Sequence, residues 1–245
     1  MRLFVNEING DKCVLRGDAH RHVAYSLRSR VGDAVTLCPQ DGCDYIGSIE
    51  KITQSETTVK ISSVVKSAGE PKVELTVFCA VPNKGDKLDL IAQKLTELGV
   101  GAIRPIMTEF TQGKAESVRT DRLSRICEEA AKQCGRGVIP KVFSPIKFGE
   151  MLDVLEEYDL TVFPYEKEKT LSLKKFLRDS SADCIKKVAV IIGSEGGFSC
   201  GEATALRDKG VESVTLGNRI LRTETANIAV VSALMYELDE WQTEV

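Results

Sequence analysis

Histidine is almost missing from this chain of 245 residues, which holds only His20 and His22. Both lie near the N-terminus, so a zinc site or a nucleophile activated by histidine is not expected in the rest of the chain. Chemistry there is left to arginine, glutamate and backbone groups. The two histidines are interpreted as surface residues of a short helix, with RNA contact as the alternative.

Long apolar runs and paired cysteines are missing too. No run approaches the roughly 20 residues that cross a bilayer, and the N-terminus lacks a signal-peptide core. The eight cysteines contain no Cys-x-x-Cys spacing, and several lie within apolar helix or strand patterns, where a free cysteine behaves as a small hydrophobe. The sequence therefore predicts a reduced cytoplasmic protein without a membrane segment or a metal.

Positive charge is not in excess. The chain has 33 lysines and arginines against 36 aspartates and glutamates, which gives a net charge of −3. A surface that binds RNA must therefore be a local patch, because no global field attracts nucleic acid. With 42% hydrophobic and 28% charged residues, the composition is that of an ordinary globular protein.

Hydrophobic patterning divides the chain into two parts. Residues 1–66 show short alternating strands separated by turns, which predicts a small β-barrel or sandwich-like module with one helix over residues 18–27. The segment Lys66–Lys72 is the best candidate linker. From Val73 onward strands and helices alternate, and the apolar run Val188–Ile192 is typical of a strand covered on both faces. The second part is therefore predicted to be α/β with a mostly parallel sheet.

A glycine-rich loop follows that buried strand. In IGSEGGFS the chain turns on Gly193, Gly196 and Gly197, and Ser199 begins a helix with a Ser-x-x-Glu capping box. Ligands of α/β proteins bind at the carboxyl ends of strands, where this loop lies. Its spacing is neither the dinucleotide fingerprint nor a P-loop, and its serine is not in a Gly-x-Ser-x-Gly elbow. A tight strand-to-helix turn is the alternative to a ligand site.

A second loop, LGNRILRTETA at residues 216–226, ends another apolar run. Its Gly-Asn pair permits a sharp turn, and Thr223 is predicted to cap a helix whose first turn holds Glu224. Apolar residues recur at helical spacing over residues 226–238. On these residues alone, the loop either carries chemistry or braces the fold.

Basic side chains gather on two predicted helices. Lys84 and Lys94 belong to the helix over residues 84–98, where a solvated polar face is the alternative to an RNA surface. Arg136 follows Gly135, the predicted C-cap of another helix. Its guanidinium can hold either a phosphate or the helix C-terminus.

Four segments, in this order, resemble one family. KGDKLDLIAQKLTELGV, EEAAKQCGRGVIP, IGSEGGFS and LGNRILRTETA look like the ribosomal small subunit methyltransferase E family, which belongs to the SPOUT class of RNA methyltransferases. The likeness covers nearly the whole chain and includes an N-terminal segment that resembles the family's PUA-like barrel. Four ordered segments are far more specific than any one of them.

The resemblance implies a fold and an activity. It implies a SPOUT-type knotted parallel-sheet methyltransferase domain at residues 73–245, preceded by a PUA-like β-barrel RNA-binding domain at residues 1–68. General topology rules alone would count against a knot. The resemblance also implies a homodimer and S-adenosylmethionine (SAM) as methyl donor. The implied reaction is methylation of N3 of a uridine of 16S rRNA in the small ribosomal subunit, position 1498 in the family's rRNA numbering.

Roles for individual residues follow as hypotheses. Arg222 stabilises the anion left when N3 loses its proton, and Glu195 or Glu224 accepts that proton. Complementarity to the helix dipole is the alternative for Glu224. RNA contacts are expected at Arg28, Lys84, Lys94 and Arg136. The donor is expected to lie against Gly193, Glu195, Gly196, Gly197, Leu216, Gly217, Ile220, Leu221 and Thr223.

The chain departs from the family pattern at four places. Ser194 stands where the family usually has the proline of Gly-Pro-Glu-Gly-Gly, and Gly217-Asn218-Arg219 replaces Gly-Pro-Arg. Phe110 stands near the position of an expected arginine, and Tyr25-Ser26-Leu27-Arg28 replaces Arg-Val-Leu-Arg. The last two changes remove positive charge, so RNA affinity or the choice of RNA is what they affect.

Two other functions stay open. One is a related methyltransferase that acts on tRNA or 23S rRNA. The other is a non-catalytic RNA-binding or ribosome-assembly protein that keeps the fold. A broken donor pocket would indicate the latter, and the retained glycines of the two loops disfavour it.

Overall fold

The computed structural model describes residues 1–180 and 184–241, and the chain divides into two compact units. The first unit joins residues 1–70 with residues 131–139, and the second joins residues 71–130 with residues 140–245. Among the described residues, no helix has both the length and the apolar character needed to cross a membrane.

The first unit is built on a five-stranded sheet. Its strands are β1 (Arg2–Phe4), β2 (Lys12–Arg16), β3 (Ala34–Cys38), β4 (Cys43–Ile52) and β5 (Glu56–Lys66). Their order is β1-β3-β4-β5-β2; β1 runs parallel to β3, and the other neighbours are antiparallel. Leu3, Leu15, Leu37 and Val59 alternate with more exposed residues, so one face of the sheet forms the core.

A short helix, α1 (Gly17–Arg21), continues into a π-helical turn over His22–Ser26. This confirms the helix predicted over residues 18–27. The interpretation of His20 as a surface residue is wrong, because it is only 3% exposed. Its Nδ1 lies 2.8 Å from Thr57 Oγ1, a partner that stabilises a buried imidazole. His22 is exposed, as expected.

Residues 131–139 belong to the first unit through polar contacts. A carboxylate oxygen of Glu70 accepts a hydrogen bond from Arg136 Nη2 at 2.7 Å, and the other accepts from the Gly137 N–H at 2.8 Å. Arg136 is 3% exposed, so its guanidinium is occupied within its own unit. Gly135 ends the preceding helix with φ of +86°, as predicted for a C-cap.

The second unit contains a parallel sheet. Its strands are β6 (Glu74–Ala80), β7 (Ala102–Met107), β8 (Lys141–Val142), β9 (Ile146–Lys147), β10 (Leu160–Pro164), β11 (Lys187–Ile192) and β12 (Ser213–Val214). The order is β12-β10-β11-β6-β7-β8, with β9 also beside β7. Every described pair of neighbours is parallel, which confirms the predicted α/β class with a parallel sheet.

Helices flank this sheet. The helices wholly within the second unit are α2 (Gly85–Glu97), α4 (Phe148–Val154), α5 (Leu173–Asp179), α6 (Cys200–Asp208) and α7 (Thr223–Glu237), whereas α3 (Thr120–Cys134) begins in the second unit and ends in the first. α2 buries Leu88, Ile91 and Leu95, the face that its periodicity predicted. α7 packs against α2, α5 and β11.

The parallel direction of the strands positions the site. β7, β10, β11 and β12 end at Met107, Pro164, Ile192 and Val214. The loops that follow them therefore lie at one edge of the sheet, where α/β proteins bind their ligands.

Candidate functional site

A cavity of about 390 Å³ opens at this carboxyl edge. Its volume lies in the range of roughly 300–1,000 Å³ that is typical of small-molecule sites. Three stretches enclose it: the end of β10 with the loop behind it, the glycine-rich loop after β11, and the loop between β12 and α7. The lining residues are Pro164, Tyr165, Glu166, Lys169, residues 192–198, residues 215–223 and Ala226.

The glycine-rich loop approaches its neighbours too closely for side chains. A Cβ on Gly196 would lie 2.7 Å from Phe110 Cβ, and a Cβ on Gly197 would lie 2.8 Å from Glu166 Oε1. Gly197 also has φ of +67°, a conformation that strains any other residue. Gly196 therefore requires glycine for a steric reason, and Gly197 for both a steric and a backbone reason.

The predicted capping box at the start of α6 is confirmed. Ser199 Oγ accepts a hydrogen bond from the Glu202 N–H at 3.2 Å, and the Glu202 carboxylate accepts one from the Ser199 N–H at 2.9 Å. The other Glu202 oxygen accepts from the Glu109 N–H at 2.8 Å. The cap thus fixes the end of the glycine-rich loop to the loop that follows β7.

Thr223 joins the two loops, and its predicted role as N-cap is wrong. α7 begins at Thr223 itself, and Arg222 occupies the N-cap position. Because Thr223 is already helical, its hydroxyl is free to donate to the Gly193 carbonyl oxygen at 2.7 Å. The turn before it uses Gly217, whose φ is +100°. The hydroxyl therefore ties the start of α7 to the glycine-rich loop.

Lys87 on α2 links two carboxylates. Its Nζ lies 2.6 Å from Glu195 Oε1 and 3.9 Å from Glu224 Oε2. Burial opposes the charge on Glu195, but hydrogen bonds from Lys87 and the Asn83 N–H outweigh it and lower the pKa of Glu195 below its ordinary value. The bond to Glu195 raises the pKa of Lys87. Glu224 Oε2 is buried and has no hydrogen-bond partner within the described chain.

Arg222 lies on the cavity wall directly before α7. Its side chain is exposed and makes no capping hydrogen bond. Among the described residues its guanidinium has no hydrogen-bond or ion-pair partner, and such a group at the rim of a cavity can bind an anionic or carbonyl-bearing ligand through its planar fork. The catalytic role of Arg222 stays a prediction.

The structure brings the predicted donor residues together. All nine of them, from both loops, line the cavity. Of the predicted catalytic residues, Arg222 and Glu195 line it as well. Glu224 lies next to Lys87 and outside the lining.

The predicted RNA contacts are divided between the two units, with Arg28 and Arg136 in the first and Lys84 and Lys94 in the second. Arg28 is exposed in the first unit, with φ of +52°. Lys84 is exposed at the N-cap of α2, and Lys94 pairs with Glu97 at 2.8 Å. Arg136 forms an ion pair with Glu70 inside the first unit and is almost fully buried, so it has almost no exposed surface for an RNA contact.

Sequence reasoning missed one wall of the cavity. Tyr165 and Glu166 follow β10 and line the site. The available signal was the predicted strand itself, because its carboxyl end lies at the same edge as the glycine-rich loop. The role of Lys87 was also missed, since its partner Glu195 lies 108 positions away.

Comparisons with known proteins identify the family of the chain. Residues 69–235 match the model of the RNA methyltransferase domain family. The chain is 30% identical over 236 residues to the ribosomal RNA small subunit methyltransferase E of Rickettsia conorii, covering 94% of this chain and 93% of that one. It is 28% identical over 232 residues to the protein of the same name from Bacillus subtilis, covering 92% and 90%.

A solved structure is similar over the same extent. It is the crystal structure of a ribosomal RNA small subunit methyltransferase E from Neisseria gonorrhoeae bound to S-adenosyl methionine, with a TM-score of 0.84, 27% identity and 96% coverage of each chain. The family match and the relatives extend over most of this sequence. The chain therefore belongs to the ribosomal RNA small subunit methyltransferase E family.

Proposed function

We propose that this protein transfers a methyl group from SAM to N3 of one uridine of 16S rRNA in the small ribosomal subunit. The observation that carries the proposal is the cavity at the carboxyl edge, enclosed by the two loops that the family resemblance assigns to the donor. The names of the relatives support an rRNA substrate, and the SAM-bound Neisseria structure supports the donor.

The residues of the cavity fit SAM. Glycines at 193, 196, 197 and 217 keep side chains out of two walls, so backbone groups can approach an adenine ring closely. The backbone N–H groups of Ile220 and Leu221 donate to no acceptor within residues 1–180 and 184–241, which leaves them available to a ligand. When bound, SAM supplies an electrophilic methyl group on a sulfonium sulfur.

Arg222 stabilises the nucleophile in this proposal. N3 of uracil carries a proton, and its loss spreads negative charge onto the two flanking carbonyl oxygens. A guanidinium stays charged at physiological pH and presents several donors in one plane. Arg222 suits this task because it is exposed at the cavity wall. Loss of one such donor typically lowers kcat by about 10²–10³.

Glu224 is the better candidate for the proton acceptor. Glu195 is held by Lys87 at 2.6 Å, and its lowered pKa makes it a weak base. Glu224 stands two residues after Arg222, and its Oε2 is buried without a hydrogen bond among the described residues. Because Glu224 lies outside the residues that line the cavity, a bridging water would carry the proton from the substrate to that oxygen.

The finer features of the fold belong to the same proposal. We infer a knotted methyltransferase domain at residues 73–245, a PUA-like barrel at residues 1–68 that contacts RNA through Arg28, and a homodimer acting in the cytoplasm. β12 lies at the edge of the sheet beside β10, and the helix that follows it, α7, packs against β11 and α2. The chain thus returns from the edge towards the middle of the sheet, which supports the inferred knot. The five-stranded sheet of the first unit supports the barrel.

Donor binding and methyl transfer test the proposal in two steps. Equilibrium dialysis with labelled SAM measures binding, and incorporation of the label into unmethylated small subunits measures transfer. We expect both. Transfer to tRNA or 23S rRNA instead would assign the enzyme another RNA, and a failure to bind SAM would favour a non-catalytic RNA-binding or assembly protein.

A further inference from the structure

Phe110 is an exposed aromatic residue beside the cavity. It lies in the loop after β7, at the same carboxyl edge of the sheet as the glycine-rich loop. The side chain of Phe110 is 44% exposed. A Cβ added to Gly196, which lines the cavity, would lie only 2.7 Å from the Cβ of Phe110. The side chain therefore contacts the wall of the site without being part of the core.

The backbone that carries this ring is held firmly. Two hydrogen bonds of 3.0 and 3.1 Å close the turn Thr108–Thr111. Glu109 is bonded through its N–H to Glu202 at 2.8 Å, and Ser194 Oγ donates to the Phe110 carbonyl oxygen at 3.3 Å. A group that is already fixed loses little conformational entropy when a partner binds. The loop thus presents the ring in a pre-organised position.

The chemistry of the Phe110 ring indicates which part of RNA it can bind. A phenyl ring has no charge and no hydrogen-bond donor, so it recognises neither a phosphate nor a ribose hydroxyl. Within the described part of the chain, no other aromatic ring stacks on it. Single-stranded RNA is recognised largely by stacking its unpaired bases on exposed aromatic side chains. The ring therefore matches a nucleobase better than any other part of RNA.

We propose that Phe110 binds the RNA substrate by stacking on an unpaired nucleobase, either the target uracil or its neighbour. The inference rests on the proposed function, which brings RNA to this edge. Ser194 is then a positioning residue, because its hydroxyl holds the carbonyl of Phe110. A proline at that position could not donate this bond. Two departures from the family pattern, Ser194 and Phe110, therefore meet in one contact.

Two substitutions at the same position separate stacking from simple apolar bulk. Phe110→Leu keeps an apolar side chain and removes the aromatic face, whereas Phe110→Tyr retains the face. In Phe110→Leu the affinity for unmethylated small subunits should fall, and the KM for them should rise, by about 5- to 150-fold, the range expected for one stacked base. Phe110→Tyr should restore most of the affinity, and both variants should bind SAM like the wild type.

A fluorescent reporter tests the contact without relying on activity. Trp241 is the chain's single tryptophan, so Phe110→Trp in a Trp241→Phe background places the sole indole at the proposed contact. A stacked base should quench its emission when RNA is added. Unchanged emission, together with wild-type RNA affinity of Phe110→Leu, would overturn the proposal even if the wild type transfers methyl groups.

Two further outcomes are distinguishable. If sedimentation shows that Phe110→Leu changes the oligomeric state, the ring belongs to an interface between copies and the stacking proposal is wrong. If the wild type neither binds SAM nor methylates RNA, the proposed function fails, while quenching by RNA still supports the stacking contact.

Discussion

Thr223 is the residue that joins two walls of the cavity that we propose binds SAM. Its hydroxyl donates to the Gly193 carbonyl oxygen at 2.7 Å, and only 4% of the residue is exposed. Thr223→Val removes the donor but keeps the branched shape, so the carbonyl of Gly193 loses its partner in a partly buried place. Leaving a buried polar group unsatisfied costs about 1–3 kcal/mol. The substitution should lower the free energy of unfolding by this amount.

Unfolding in urea, followed by circular dichroism, measures the loss of stability. In thermal unfolding, each 1 kcal/mol corresponds to a fall in Tm of about 2–4 °C for a protein of this size. Calorimetric titration measures the affinity for SAM, which should weaken because the glycine-rich loop is no longer held to α7. Thr223→Ser is the matched control, since it keeps the hydroxyl and should retain most of the SAM affinity.

The reasoning about Thr223 has a clear refutation. If Thr223→Val unfolded at the wild-type urea concentration and bound SAM with wild-type affinity, the hydrogen bond to Gly193 would play no part in holding the cavity.

Three other changes test the rest of the site. Gly197→Ala places a Cβ 2.8 Å from a carboxylate oxygen at a positive φ, so the affinity for SAM should fall roughly tenfold. Gly201→Ala is the control, because its Cβ would have its nearest contact at 3.8 Å and should leave the affinity unchanged. Calorimetry compares the two variants, and equal affinities would contradict the steric account. Arg222→Ala should still bind SAM but lose about 10²–10³ in kcat, and unchanged turnover would remove Arg222 from the mechanism. The pKa of Glu195 is below its ordinary value of 4.5, so its contribution to stability is present above that pH and is lost as the pH falls through the folded value. Lys87→Met should make that loss begin at higher pH, as an NMR titration of the Glu195 carboxylate would show; an unshifted titration would contradict the pairing.

Local patterns explain why much of the fold could be predicted. The helical spacing of Leu88, Ile91 and Leu95 predicted α2, and the apolar run Val188–Ile192 predicted β11. Alternation of such elements was enough to predict a parallel sheet. The attachment of residues 131–139 to the first unit could not be predicted in this way, because it depends on an ion pair between residues 66 positions apart.

The site could be predicted where glycine and position at a strand end combine. Both loops were found for that reason, and the resemblance assigned their residues. The partners of individual side chains could not be read from spacing. Thr223 was predicted as a cap because a threonine before a helix usually acts as one, yet its hydroxyl bonds to a residue 30 positions away. His20 was misinterpreted for the same reason, since Thr57 comes from a distant strand.

The central claim is that this protein methylates N3 of a uridine in 16S rRNA, and mass spectrometry of the rRNA nucleosides tests it most directly. Unmethylated small subunits are incubated with the protein and SAM, and the 16S rRNA is then digested and analysed. We predict N3-methyluridine at a single position, formed only when protein and SAM are both present. Digests that contain no N3-methyluridine, from a protein that binds SAM, would contradict the claim.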